Sequence, residues 1–230
     1  RAALAEALGV DDPAASWHNA RDGVARLAAW LTAVTGAMGK MGDDLHLMAQ
    51  SGIGEVALPG AGASSTMPQK ANPVQPAVLT AIARQCVGLN AVMQAAVLHR
   101  QQRDGAAWMT EWMTLPQMCI LAARALAAAE TLAQTVVPRA EAMLANLDDG
   151  LGLIYAEAAT FALAADMPRP EAQAKVKALC AEASETGTPL PSLLARDHPG
   201  DWAALLRPAA QMGQAPADAR AFASDARQVR

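Results

Sequence analysis

The chain has 230 residues, of which 53% are apolar and only 3% aromatic, with a formal net charge of -4. That length suggests one or two domains, and the apolar share is enough for a large core built from Ala, Leu, Val and Met. Slight acidity without any block of like charge excludes a basic nucleic-acid surface, and three scattered cysteines (Cys86, Cys119, Cys180) with no CxxC pair exclude a metal or disulfide framework and fit a reducing cytoplasm.

The opening "RAALAEALGV" reads as helix and has no initiator Met, so a fragment or processed form of a longer protein is expected. No signal peptide is visible. No uncharged apolar run reaches the ~18 residues of a membrane span, so no membrane association is expected.

Residues 22–50 predict one long helix. Val24, Leu27, Leu31, Val34, Met38, Met41, Leu45 and Met48 step by three and four, as a bundle-facing seam does. Residues 74–98 predict a second, with a stripe of Val74, Val78, Ile82, Cys86, Leu89, Met93 and Val97, and Pro73 and Pro76 suit its first turn. A third covers 115–137, where Leu115, Met118, Ala122, Ala125, Ala129, Leu132 and Val136 give an alanine-rich face that admits a close neighbour. Val137-Pro138 ends it.

After about 139 the helices shorten, to roughly 151–165, 170–186 and 201–210, separated by "DMPRP", "ETGTPLP" and "DHPG". No strand or repeat is evident. The expected fold is all-α: a long-helix bundle domain over 1–138 and a small helical domain over 139–230. Three long helices with alanine faces leave apolar surface over, and a homo-oligomeric bundle is the natural way to bury it.

Between the first two long helices lies "SGIGEVALPGAGASSTMPQKANP". Gly52, Gly54, Gly60 and Gly62 let such a segment bend and bring backbone N–H groups close to an anion. Loops of this length are either functional lids or solvated connectors.

The order of residues separates the two. "SSTMPQKANP" resembles the signature loop of the fumarase/aspartase superfamily, Ser-Ser-x-Met-Pro-x-Lys-x-Asn-Pro, with Ser64, Ser65, Met67, Pro68, Lys70, Asn72 and Pro73 all in place. The resemblance implies that Ser64 is the catalytic base, moving a proton on the carbon next to a carboxylate. A serine alkoxide needs stabilisation by loop N–H groups and a cation in a dry site. It further implies that Lys70 supplies positive charge, that Asn72 donates to substrate carboxylates, and that Ser65, Thr66 and Met67 line the substrate. "MGDDLHLMAQSGIGEV" and "NLDDGLGLIYAEAATFALA" resemble the adenylosuccinate lyase branch before the loop and at the start of the C-terminal domain.

Within the superfamily, three features resemble the 3-carboxy-cis,cis-muconate cycloisomerases. "SWHNARD" at 16–22 is similar to their Trp-His-x-x-Arg-Asp segment. "QRDGAAWMTEWMTLP" at 102–116 is similar to their Ala-x-x-Trp-x-x-Glu-Trp stretch. Most lyases of the superfamily place a glutamate five residues after the loop asparagine; here that residue is Ala77, and the cycloisomerases also lack the glutamate. What this implies is cyclisation of 3-carboxymuconate to carboxymuconolactone in protocatechuate degradation, with no metal or organic cofactor. The other readings are a fumarate-releasing lyase acting on succinyl compounds and a helical assembly module that keeps the loop as a relic.

A tricarboxylate needs several cations, and Lys70, Arg21, Arg100 and Arg103 are the candidates. His18 is either a substrate contact or a helix-start polar residue. Arg103 is either a carboxylate clamp or a surface charge. Trp108 and Trp112 share a helical face and are expected to pack in a core or interface, with site lining the second reading; Glu111 between them either orients a cation or lies solvated, a structural role being favoured. His46 and His99 read as ordinary surface or interface histidines, and Cys86 as core. The resemblance implies active sites assembled from three segments of three subunits in a homotetramer. This chain carries the third segment, and the first two are expected N-terminal to Arg1.

Overall fold

The computed structural model describes residues 1–59, 62–63, 71–147 and 150–228, with the side chains of 62, 63 and 71 left aside. The chain divides into two compact units, Arg1–Arg139 and Ala140–Arg230.

The first unit begins with α1 (Ala2–Leu8), closed by Gly9 in the left-handed conformation. Three long antiparallel helices follow: α2 (Asp22–Met48), α3 (Val74–Ala95) and α4 (Gly105–Thr135). Their core joins Ala28 and Leu31 of α2, Met93 of α3, and Met118 and Ala122 of α4. The buried stripe of α2 is Ala25, Ala28, Leu31, Thr35, Gly39, Gly42 and Leu45. It differs from the expected seam of large residues: Leu27 is exposed, and Val24, Val34, Met38, Met41 and Met48 only flank the contact. Small residues win because the helices approach too closely for anything larger. A Cβ on Gly39 would lie 2.5 Å from the Cβ of Ala83, and one on Gly42 would lie 2.6 Å from the Pro76 carbonyl oxygen.

Helix α4 starts ten residues before the expected 115. The Asp104 side chain caps it, accepting from the N–H groups of Ala106 and Ala107 at 3.0 and 3.3 Å. Pro116 sits inside the helix instead of opening it. The stripe of Met118, Ala122, Ala125, Ala129 and Leu132 is buried as expected. By length and composition alone α3 and α4 could each cross a membrane, a property they share with core helices of bundles.

Two-residue ladders are the strand structure among the described residues. β1 (Val56–Ala57) pairs antiparallel with β4 (Val137–Pro138), and β2 (Gly62–Ala63) with β3 (Ala71–Asn72). The first ladder ties the start of the loop to the end of α4; the second closes the loop on itself.

The second unit contains α5 (Ala140–Leu147), a 3-10 turn (Leu153–Tyr155) running into α6 (Ala156–Leu163), α7 (Arg169–Thr186), α8 (Leu190–Asp197), α9 (Trp202–Leu205), α10 (Pro208–Gln211) and α11 (Ala215–Gln228). Its core packs Ala159 and Leu163 against Val176 and Leu179, and against Leu190, Leu194 and Trp202. The expected helices over 151–165 and 170–186 are present. The one expected over 201–210 is two single turns broken at Leu206-Arg207. Helix α8 fills what read as a breaker, because Pro189 and Pro191 fall at its entry, where a missing N–H costs little.

Candidate functional site

The up-down-up order of the bundle sorts the candidate residues to its two ends. Helix α2 alone is about 40 Å long at ~1.5 Å per residue, and it separates Arg21 at one end from the glycine-rich loop at the other.

At the loop end, Ser64, Ser65, Thr66, Met67 and Lys70 lie outside the described residues. Asn72 is placed in β3, opposite Gly62 and half-buried. Gly52 and Gly54 have φ of 91° and 64°, left-handed conformations that favour glycine, and so turn the chain out of α2. Behind the loop lies a cavity of about 500 Å³ lined by Gln50, Ser51, Gly54, Leu58, Pro73 and Arg139, among others. Arg139 is an exposed cation that the sequence reading did not single out, and its backbone N–H donates to the Glu55 carbonyl at 2.8 Å. The signal available was a basic residue directly after the helix-ending Val137-Pro138.

At the far end, Arg21 caps α2 and is buried, its side chain 9% exposed against 4% for Glu111. Its Nε donates to Glu111 Oε1 at 2.9 Å and an Nη to Oε2. The bond to Glu111 raises the Arg21 pKa, against the opposing effect of burial, and keeps the guanidinium charged. Arg21 is a candidate cation for a substrate carboxylate, and two of its donors are here taken by Glu111. Glu111 is buried and holds the Arg21 guanidinium in place.

Around this pair lies a cluster of rings. Trp17 stacks on His18 with centroids 5.8 Å apart, His18 lies 6.1 Å from Trp108, and Trp108 stacks on Trp112 at 6.1 Å. Arg21 sits 5.5 Å over the Trp17 ring, a cation–π contact. His18 is half-buried and its Nδ1 is 2.8 Å from Ser16 Oγ. Trp112 stays 60% exposed, more open than packing within one chain would leave it.

The connector between α3 and α4 carries Arg100 and Arg103. Arg100 is spent locally: its backbone N–H and its Nε both donate to Asp104 Oδ2, at 3.1 and 2.9 Å. Those bonds, the side-chain bond first and then the backbone N–H groups of Arg100 and Ala107, hold the Asp104 carboxyl well below the usual carboxylate range. Arg103 is exposed. Of the two readings of His99, surface or interface, the surface one does not hold: its side chain is 1% exposed. His46 is exposed and Cys86 is fully buried, as expected. No cluster of metal-ligating side chains occurs among the described residues.

Comparison with known proteins gives this arrangement a context. The family model described as Lyase matches residues 1–88. A 3-carboxy-cis,cis-muconate cycloisomerase of Pseudomonas aeruginosa is 40% identical over 94% of the chain and 49% of its own length. One of the same name from Bradyrhizobium diazoefficiens is 37% identical over 93% of the chain and 50% of its own length. The crystal structure of 3-carboxy-cis,cis-muconate lactonizing enzyme from Pseudomonas putida superposes with a TM-score of 0.88 at 36% identity, covering 100% of this chain and 54% of that one.

The chain's first 88 residues match the Lyase family, and nearly the whole chain is similar to these cycloisomerases.

It spans about half the length of the curated relatives it matches. The all-α fold, long bundle then shorter helices, is that of the superfamily's solved members. Within that fold Asn72 and the Arg21–Glu111 pair stand at opposite ends of the bundle.

Proposed function

We propose that this chain forms the serine-loop part of a 3-carboxy-cis,cis-muconate cycloisomerase. The observation that carries the reading is 40% identity, over 94% of the chain, to a protein of that name. Two residue patterns support it: the complete Ser64–Pro73 signature, and Ala77 where most superfamily lyases have a glutamate.

A carboxylate oxygen of the muconate adds to a double-bond carbon, forming the lactone C–O bond, and a proton arrives on the neighbouring carbon beside another carboxylate. In reverse, Ser64 removes that proton and the ring carboxylate leaves. Lys70 offsets the charge that builds on the enediolate-like carboxylate, and Asn72 donates to it. Ser65, Thr66 and Met67 line the substrate, with His18, Arg103 and Arg139 as further contacts. No metal or organic cofactor takes part.

Asn72, next to the start of α3, and Arg103, next to the start of α4, lie at opposite ends of the bundle, which supports a site that takes them from different subunits of a homotetramer. Exposed apolar side chains along the helices, among them Leu27, Trp30, Val87, Trp112, Met113 and Ile120, supply the surface that such a bundle buries. The working location is the cytoplasm, with no nucleic-acid or membrane partner.

The test supplies 3-carboxymuconate to the purified protein, its mass checked, and follows loss of the conjugated-diene absorbance. Ser64→Ala is expected to abolish the reaction. Fumarate release from adenylosuccinate or argininosuccinate, with muconate untouched, overturns the proposal.

A further inference from the structure

Among the described residues, His99 is a buried side chain at the far end whose chemistry the arrangement above does not use. Its ring is 1% exposed, yet neither Nδ1 nor Nε2 has a hydrogen-bond partner. Burying a polar group in that state is unfavourable, and most such groups in folded proteins are paired. The ring faces Trp108, with centroids 6.4 Å apart, and its Nε2 lies 3.8 Å from Glu111 Oε1. That is less than 1 Å beyond a hydrogen bond of ordinary length, about 2.9 Å. Glu111 Oε1 takes one bond from Arg21 Nε and has a lone pair left.

The connector that His99 begins is closed on itself by hydrogen bonds. Asp104 gathers Arg100 N–H and Nε and the N–H groups of Ala106 and Ala107, which closes residues 100–104 on the start of α4. On the His99 side the backbone is held by a short bond from His99 N–H to the Val97 carbonyl, 2.9 Å. Gln101 adopts φ 56°, a left-handed conformation that a residue with a side chain rarely takes. Arg103 is carried on the exposed edge of this strained segment.

We propose that His99 is a positioning residue: its Nε2–H closes onto Glu111 Oε1 and so couples the Arg103 connector to the buried Arg21–Glu111 pair. The contact is sampled in the free protein and deepens when Arg103 takes a substrate carboxylate. It resolves the unpaired imidazole and fixes Arg103 through α2 and α4. The idea rests on the reading of Arg103 as a substrate cation. The charged group against His99 is Glu111 of α4, itself paired with Arg21 at the start of α2. His18 lies beyond Trp108, and Arg100 and Asp104 are on its own connector.

Two variants separate this role from simple packing. His99→Gln keeps a donor at the Nε2 position; His99→Leu keeps apolar volume and loses the donor. The expectation for His99→Leu is a KM for 3-carboxymuconate raised roughly tenfold with kcat within about twofold of the unaltered protein, and for His99→Gln a KM restored to near the starting value. Hydrogen exchange of residues 97–104 in the free protein is expected to be faster in His99→Leu alone. Equal KM and equal exchange in the two variants overturn the proposal, whether both match the unaltered protein or both are impaired. If the unaltered protein turns over no muconate, the cycloisomerase reading fails by itself, and the exchange comparison alone decides the contact.

Discussion

Replacing Glu111 by Gln keeps shape and volume but removes the charge that faces Arg21. The structure sets the magnitude. Both side chains are buried, at 9% and 4% exposure, and the pair is bidentate. Arg21 cannot shed its proton. The variant therefore leaves a charged guanidinium buried beside a neutral amide, which costs about 3–5 kcal/mol. With a urea m-value of about 2–3 kcal/mol per M, the unfolding midpoint falls by roughly 1–2 M. Tryptophan fluorescence is a local reporter, because Trp17 and Trp108 flank the pair. Arg21→Met with Glu111→Leu is expected to regain most of the loss, since a well-packed apolar pair replaces both charges. The exposed Lys40–Asp44 pair is the control: breaking it costs about 0.3–0.5 kcal/mol. A Glu111→Gln variant within about 1 kcal/mol of the unaltered protein refutes the reasoning, because the pair would then behave as a solvated one.

The close crossing of α2 and α3 gives a steric prediction. Gly42→Ala places a Cβ 2.6 Å from the Pro76 carbonyl oxygen and is expected to lower stability by about 1–3 kcal/mol. Gly36→Ala, which meets nothing within 4 Å, is expected to be neutral or to gain about 0.5–1 kcal/mol from helix propensity; thermal melts compare the two. For Asp104, hydrogen bonds from Arg100 depress the folded-state pKa. Its contribution is therefore complete above the unfolded carboxyl value of about 3.9 and is lost as pH falls through the lower folded value. Asp104→Asn is expected to unfold more easily at pH 7, and its deficit should shrink in denaturant series run from pH 5 downward.

The all-helical class and the three long helices follow from the sequence because steps of three and four report which face of a helix turns inward. The signature loop was legible for a different reason: serine, lysine and asparagine at fixed spacing among breakers is a pattern of chemistry, readable without coordinates. What periodicity could not reveal is how close the helices come. Large residues such as Leu27 and Met38 looked like the seam, yet Gly39, Gly42 and Ala28 form it. The rule that large apolar residues go inside does not include the distance between helix axes.

The far end was the least legible. Arg21 and Glu111 are 90 residues apart, and nothing local marks them as partners. His99 looked like a surface or interface histidine because exposure is decided by what packs over a residue, and here that is Trp108 and Glu111 from the next helix. The sequence by itself determined the helical class, the three long helices and the signature loop, all set by short-range pattern. Only the tertiary structure decided which charges are paired, and that Asn72 and Arg103 lie at opposite ends of one bundle. Ion pairs and burial depend on contacts between segments distant in the chain, and a one-dimensional pattern carries no record of them.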